Sequence, residues 1–269
     1  NHGRGVAWAA NKLHQKSVII MPKGSTVTRL NHIKAENAEA WISDVNYDEC
    51  VRQAAKLAEK TEHGVMVQDT AWEGYEKIPA WIMEGYGTMA DEAGDQYGER
   101  PTHIFVQAGV GSLAGAVVGY FANRYRENPP VMVVVEASAA DCLYRGAAAG
   151  DGEIRIVDGD METIMAGLAC GEPNILKNHV SCFISLEDCA AARGMRMLAA
   201  PLKGDRQVVS GESGAASFAA LAAIMRKDEY KELREKLGLG KDSKVLCFST
   251  EGDTDPERWK NIVWEGLER

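Results

Sequence analysis

Residues 104–115 read Ile-Phe-Val-Gln-Ala-Gly-Val-Gly-Ser-Leu-Ala-Gly, and an apolar run, 116–121, follows them. The β-branched and aromatic residues predict a buried strand that ends at Gln107, and the small residues after it permit a tight turn into a helix. The first N–H groups of such a helix attract an anion. The stretch therefore predicts a phosphate site or, equally well, a plain strand-to-helix turn. The residues placed to hold a phosphate are Gly109, Val110, Gly111 and Ser112.

Composition narrows the class of protein. The chain has 269 residues and a formal net charge of −9 at pH 7, with no cluster of basic residues. This balance argues against nucleic acid or an anionic membrane as a partner. No apolar stretch reaches the roughly 20 residues of a membrane span, and no signal-peptide pattern opens the chain. We therefore expect a cytoplasmic protein.

The six cysteines show neither a C-x-x-C motif nor closely spaced histidine partners, so no metal site is expected. Free thiols are the default in a cytoplasmic chain. Cys142 follows a predicted central strand and Cys170 lies in a glycine-rich turn, so these two are the candidates for close approach. Whether any cysteines pair is left open by the sequence.

Short apolar runs alternate with helical periodicity, which is typical of parallel sheets covered by helices. Strands are predicted at 17–21, 41–45, 64–68, 104–107, 131–136 and 244–248. Helices are predicted to begin near residues 26, 46, 113, 163, 186 and 214. Asn46 and Glu49 form a capping box at the second of these, and Asp141 and Asp188 read as helix-start residues. A small α/β domain is expected over 1–85 and a large one over 86–269.

The chain opens with a second motif, Asn1-His2-Gly3-Arg4-Gly5-Val6-Ala7. This opening and the 104–115 stretch resemble the Gly-Asn-His loop and the phosphate loop of fold-type II pyridoxal-phosphate (PLP) enzymes, although Ala108, Val110 and Ser112 depart from the all-glycine pattern. The resemblance implies PLP as cofactor and a tryptophan synthase β-like fold of two open α/β domains with mostly parallel sheets. Residues 85–92 resemble the turn that follows the small domain in that family.

Three further runs, 167–174, 210–215 and 249–255, resemble the diaminopropionate ammonia-lyase family, so the likeness covers essentially the whole chain. The resemblance implies α,β-elimination of a small amino acid, 2,3-diaminopropionate, to pyruvate and ammonia by a homodimer. The alternatives are a serine/threonine dehydratase or a β-replacing synthase of the same fold. A non-catalytic, metabolite-binding α/β module is a third alternative.

The resemblance also assigns residues. Asn1 is expected at the cofactor O3′ atom, and the Ser112 hydroxyl is expected to add a bond to the phosphate. Ser249, with Thr250 beside it, is expected at the pyridine nitrogen, where a hydroxyl instead of a carboxylate favours β-elimination. The candidates for the substrate site are His2, Cys170, Glu172 and Glu212.

The catalytic residues themselves are not among the assigned positions. The resemblance places the Schiff-base lysine and an acidic base before Asn1, so we expect both outside residues 1–269. Ser213 is expected to cap a helix that starts at Gly214. The acidic residues after Thr250 are expected to form a solvated loop; they are Glu251, Asp253 and Asp255.

Overall fold

Two parallel sheets form the frame of the molecule, whose computed structural model describes residues 1–153, 155–172 and 179–268. The smaller sheet pairs β1 (Val18–Met21) with β2 (Glu39–Ile42). The larger sheet has the order β5-β4-β3-β6, and every pairing in it is parallel. Its strands are β3 (His103–Gln107), β4 (Val131–Ala137), β5 (Cys182–Leu186) and β6 (Val245–Cys247). The predicted α/β class with parallel sheets is confirmed.

Helices connect the strands and cover both faces of the larger sheet. Those before β3 are α1 (His2–Lys12), α2 (Val27–Lys34), α3 (Tyr47–Lys60) and α4 (Lys77–Tyr97). Those from β3 to β5 are α5 (Ser112–Arg124) and α6 (Cys142–Ala149), with 3-10 turns at Ser138–Ala140 and Ala166–Leu168. After β5 come α7 (Asp188–Ala199), α8 (Glu212–Arg226), a 3-10 turn at Asp228–Tyr230, α9 (Lys231–Leu237) and α10 (Pro256–Val263).

The larger sheet is buried on both faces, which explains the near-continuous apolar runs of β3 and β4. Alternate residues enter opposite cores because side chains of a strand point to opposite faces. Phe105 and Val133 pack in the core shared with α7 and α8. Ile104 and Met132 pack in the core shared with α5.

Local capping fixes the helix starts that the sequence predicts well. The Asn46 side chain accepts a hydrogen bond from the Glu49 N–H at 3.0 Å, which confirms the N-cap half of the predicted capping box. Thr26 caps α2 in the same way, with the Arg29 N–H as donor at 3.4 Å. The prediction for the start of α8 is wrong, because the helix begins one residue before Ser213, with Gly211 as N-cap.

Residues 64–68, predicted as a strand, form an extended loop instead. Side chains satisfy this backbone where a neighbouring strand would. The Tyr75 hydroxyl donates to the Met66 carbonyl at 2.9 Å, and the His2 ring contacts the Val67 carbonyl through Nε2 at 2.9 Å. The second predicted strand is also displaced, since β2 ends at Ile42.

Two further predictions are corrected. Residues 85–92 are not a turn but the interior of α4, so the expected boundary at residue 85 falls inside one continuous helix. The division into domains 1–85 and 86–269 stays a prediction. The helix expected from Thr163 is only the 3-10 turn Ala166–Leu168, because the Thr163 hydroxyl and the Ile164 N–H both donate to Asp188 at the start of α7.

Glu136 makes the fold sensitive to pH. It is fully buried on β4 and accepts N–H bonds from Leu143 and Tyr144 at 3.0 and 2.7 Å. Burial raises its pKa from 4.5 to about 7. Because the folded state binds this proton more tightly than the unfolded chain, stability attributable to Glu136 is lost as pH rises from about 4.5 to 7.

We expect Glu136→Gln to remove that pH-dependent loss, which amounts to at most about 3 kcal/mol. Urea unfolding at pH 5 and pH 8 measures it as a smaller difference in the free energy of unfolding than in the unaltered protein. Glu127→Gln, at an exposed position, is the control. Equal pH dependence in all three proteins would contradict the assignment.

Candidate active site

The turn between β3 and α5 is built as an anion seat. Gly111, the N-cap of α5, has φ +98°, and no side chain of the described residues caps the helix. Among the described residues, no protein atom accepts a hydrogen bond from the N–H groups of Gly109, Val110 and Gly111. They lie at the carboxyl edge of a parallel sheet, where α/β folds bind ligands. Unpaired donors and the positive end of the helix dipole fit a phosphate dianion.

Gly109 must lack a side chain because another motif packs on it. A Cβ at Gly109 would lie 2.9 Å from the Gly167 carbonyl oxygen and 3.2 Å from the Leu168 Cα. The Gly167 N–H in turn donates to the Ser213 hydroxyl at 3.0 Å. The runs at 109–112, 167–172 and 210–215 therefore meet at one edge of the sheet.

The Ser112 hydroxyl donates to the Asp69 carbonyl at 2.6 Å, and its expected bond to the phosphate stays a prediction. The bond brings Asp69, a buried acid that the sequence analysis did not single out, against the start of α5. In the sequence, the polar pair Gln68-Asp69 follows three apolar residues, 65–67, and this pattern marks the acid.

Asp69 lies among aromatic hydroxyls. Burial, with the Asp69 charge as second cause, raises the pKa of Tyr86 to about 12 and raises that of Tyr47 well above its ordinary value. Gln68 fixes the position of Asp69. Its amide donates to the Tyr47 hydroxyl and accepts the Asp69 N–H, both at 2.8 Å.

Asn1 and His2 lie beside this loop. The Asn1 side chain makes no capping bond to α1. His2 contacts the loop before Asp69 through Val67, as described above, so the structure gives it a supporting contact, and its place in the substrate site stays a prediction.

Ser249 and Thr250 follow β6 at the same edge of the sheet. The Ser249 and Ser210 hydroxyls are 2.8 Å apart, and the Gln107 amide donates to the Thr250 hydroxyl at 3.1 Å. A Cβ at Gly214 would lie 3.0 Å from the Ser249 oxygen, so the start of α8 packs directly on this hydroxyl. The structure thus brings the residues expected at the pyridine nitrogen to the edge that carries the anion seat.

Glu212 is held by two arginines. Arg29 Nη2 donates to its Oε2 at 3.1 Å, and Arg258 Nε lies 3.0 Å from its Oε1. Burial raises the pKa of Glu212, and the two guanidinium charges oppose that rise. With both oxygens ion-paired, the carboxylate is a poor partner for the second amine of a substrate, and its role there stays a prediction.

The acidic run after Thr250 is not the solvated loop expected from its charge. Glu251 is buried and accepts the Ser213 N–H at 3.0 Å. Asp255 is also buried, and it caps α10 by accepting the Arg258 N–H at 3.3 Å. Only Asp253 is exposed, as expected.

Cys170 and Glu172 attach their loop to α3. Cys170 is buried with its sulfur 3.7 Å from Asp48 Oδ1, and burial raises the pKa of its thiol well above the ordinary value. Glu172 is half-exposed and pairs with Arg52 at 2.8 Å. Their roles in a substrate site stay predictions, and Pro173 and Asn174 of the same motif lie outside the described residues.

The structure places Cys142 beside the Cys170 loop, where its thiol donates to the Gly171 carbonyl at 2.9 Å. All six cysteines are free. Among residues 1–153, 155–172 and 179–268, no group of three or more potential ligands is arranged to hold a metal ion. Over the same ranges, no helix combines the length and hydropathy needed to cross a membrane.

Comparison with known proteins places this architecture. The family model described as pyridoxal-phosphate dependent enzyme matches residues 1–251. Diaminopropionate ammonia-lyase of Salmonella typhimurium is 51% identical over 99% of this chain and 68% of its own length. A biosynthetic L-threonine dehydratase of Staphylococcus saprophyticus is only 24% identical, over 99% of this chain and 59% of its own.

The solved structures agree with the sequence relatives. The Escherichia coli diaminopropionate ammonia-lyase in complex with an aminoacrylate-PLP azomethine reaction intermediate superposes with a TM-score of 0.91. Its identity is 49%, and the superposition covers 100% of this chain and 70% of that one. The chain belongs to the pyridoxal-phosphate dependent enzyme family and, within it, to the diaminopropionate ammonia-lyases.

Proposed function

We propose that the protein binds PLP at the turn between β3 and α5 and eliminates ammonia from 2,3-diaminopropionate to give pyruvate. The observation that carries the proposal is the convergence, at one sheet edge, of the glycine turn before α5 with Ser249 and Thr250. Family membership and 51% identity to an ammonia-lyase support it. Gly111 and Ser249 are more than 130 residues apart in sequence, so no local structural need brings them together.

Different residues would bind different parts of the cofactor. The N–H groups of Gly109, Val110 and Gly111 would hold the phosphate, and the Ser249 hydroxyl would face the pyridine nitrogen. When bound, PLP withdraws electrons from the α-carbon of an amino acid. A hydroxyl partner leaves the ring nitrogen largely neutral, which weakens this withdrawal and favours rapid loss of a β-substituent. Asn1 would contact the ring oxygen.

Asp69 is the carboxylate that we propose to handle protons on substrate nitrogen. Its backbone is tied to α5 through Ser112 and to α3 through Gln68 and Tyr47, which limits how far the residue can move from the start of α5. A positioned base is effective because proton transfer requires hydrogen-bond distance. Asp69 is also buried.

Substrate choice tests the proposal. We expect the natural polypeptide to release pyruvate from 2,3-diaminopropionate with a kcat/KM at least about 100-fold above that for release of oxo acid from serine or threonine, which is about 2.7 kcal/mol of transition-state discrimination. A coupled assay for the oxo acids measures both. A kcat/KM for threonine equal to that for diaminopropionate would move the protein to the dehydratases. Absence of any PLP binding would favour the metabolite-binding module.

We also propose that the protein is a cytoplasmic homodimer. Six free thiols support a reducing compartment. Large apolar side chains that are exposed in the single chain, among them Trp81, Leu202 and Trp264, support burial against a second copy. Sedimentation equilibrium at micromolar concentration measures the mass, and a monomer would contradict the proposal.

A further inference from the structure

A buried cluster of four charges links the smaller sheet to the loops of the candidate site. Arg29 projects from α2, which packs on the smaller sheet, and its Nη2 lies 3.1 Å from Glu212 Oε2 and 3.6 Å from Glu251 Oε1. Arg258 of α10 completes the cluster beside Glu212. The side chains of Arg29, Glu212 and Glu251 are 17%, 5% and 7% exposed, so solvent screens these charges weakly.

Arg29 is the only side chain in this cluster that touches both carboxylates within the described part of the chain. Two buried carboxylates that share one arginine repel each other when that cation is removed. Arg258 cannot replace it, because Arg258 reaches only Glu212 and its Nε–H is not aligned with the oxygen as a hydrogen bond. Among the described residues, Glu251 pairs with no other cation, so loss of Arg29 would leave it without a counter-charge from that part of the chain.

We call the part of the candidate site around Ser249, where the pyridine ring is expected, its ring end. Glu251 fixes the position of this part. Its carboxylate accepts the Ser213 N–H at 3.0 Å, and its backbone carbonyl accepts the Gly211 N–H at 2.8 Å. A Cβ at Gly214 would meet both the Glu251 carbonyl at 2.7 Å and the Ser249 hydroxyl at 3.0 Å. A shift of Glu251 must therefore move Ser249 or the start of α8.

We propose that Arg29 is a positioning residue, which sets the place of the cofactor ring by bridging Glu212 and Glu251 and thereby fixing Ser249 at the ring end of the candidate site. The inference rests on the proposed function and adds to it the residue that couples the smaller sheet to the ring contacts. Loss of a purely structural ion pair would destabilise the fold as a whole. Loss of Arg29 is instead expected to change only the ring end of the site.

The test uses the natural polypeptide, with PLP affinity, the absorbance maximum of the bound cofactor, kcat and KM measured for each variant. We expect Arg29→Met to weaken PLP binding at least tenfold, shift the absorbance maximum and lower kcat at least tenfold, with a smaller change in KM. Arg29→Lys keeps the charge and protects the fold, but lysine has no planar group with which to serve two acceptors. This variant should give the same changes at about one-third the size or less. Arg155→Met, which removes an arginine from an exposed pair with Asp151, should change none of them.

A double-mutant cycle separates the mechanism from general damage. If Arg29 acts through Glu251, then Arg29→Met combined with Glu251→Gln should weaken PLP binding no more than the worse single variant. Additive losses, or an unchanged PLP affinity and spectrum in folded Arg29→Lys and Arg29→Met, would overturn the inference. If the unaltered protein neither binds PLP nor releases pyruvate, the proposed function is wrong and the inference falls with it, an outcome distinct from an active protein that ignores Arg29.

Discussion

Gly111→Asp should abolish cofactor retention. The residue has φ +98° at the N-cap of α5, where a side chain is strained, and the new carboxylate would lie against the phosphate. Repulsion between two unit charges about 4 Å apart is worth about 4 kcal/mol at the partial screening of a protein surface. Equilibrium dialysis should therefore show PLP affinity reduced at least about 100-fold.

A matched substitution separates charge repulsion from backbone strain. Gly98 also has positive φ, +76°, at the C-terminus of α4, and nothing lies within 4 Å of a Cβ placed there. Gly98→Asp imposes comparable backbone strain far from the anion seat and should leave PLP affinity unchanged. Equal PLP affinity in Gly111→Asp and the unaltered protein would show that the turn does not hold the phosphate.

Asp69→Asn should remove most of the activity while leaving the cofactor bound. The amide is nearly isosteric, and the Asp69 carbonyl can still accept from Ser112, so the anchor to α5 is preserved. Loss of a general acid–base group typically costs roughly 100- to 10,000-fold in rate. Steady-state pyruvate release should show that loss in kcat, with PLP affinity within about threefold of the unaltered protein.

Asp44→Asn, at an exposed position in the turn before α3, is the control for charge removal. It should retain full kcat. Activity of Asp69→Asn within about twofold of the unaltered protein would exclude Asp69 from proton transfer. Loss of PLP binding along with activity would assign Asp69 to the architecture of the site instead.

The parts that the sequence predicted correctly depend on neighbours within a few residues. The Asn46 cap and the strand–turn–helix at 104–115 follow from local backbone preferences, and both are confirmed. The resemblance then identified the family, which the comparisons confirm, because its motifs are short and contiguous.

The features that the sequence did not predict depend on partners far along the chain. Residues 64–68 are patterned as a strand, but His2 and Tyr75 take the bonds that a neighbouring strand would make. The charges of Glu251 and Asp255 suggested solvent exposure, whereas burial against the start of α8 and capping of α10 decide their environment. Pattern alone does not reveal a counter-ion.

The bond between Arg29 and Glu212 spans 183 residues of sequence. Closing so long a loop costs more chain entropy than forming a helix or a local turn, so it is slower. On the ribosome, the ring end of the site cannot assemble until β6 and α10 have emerged. We therefore expect cofactor capture to follow formation of the earlier helices, so that in refolding the absorbance of bound PLP lags behind the recovery of helical circular dichroism.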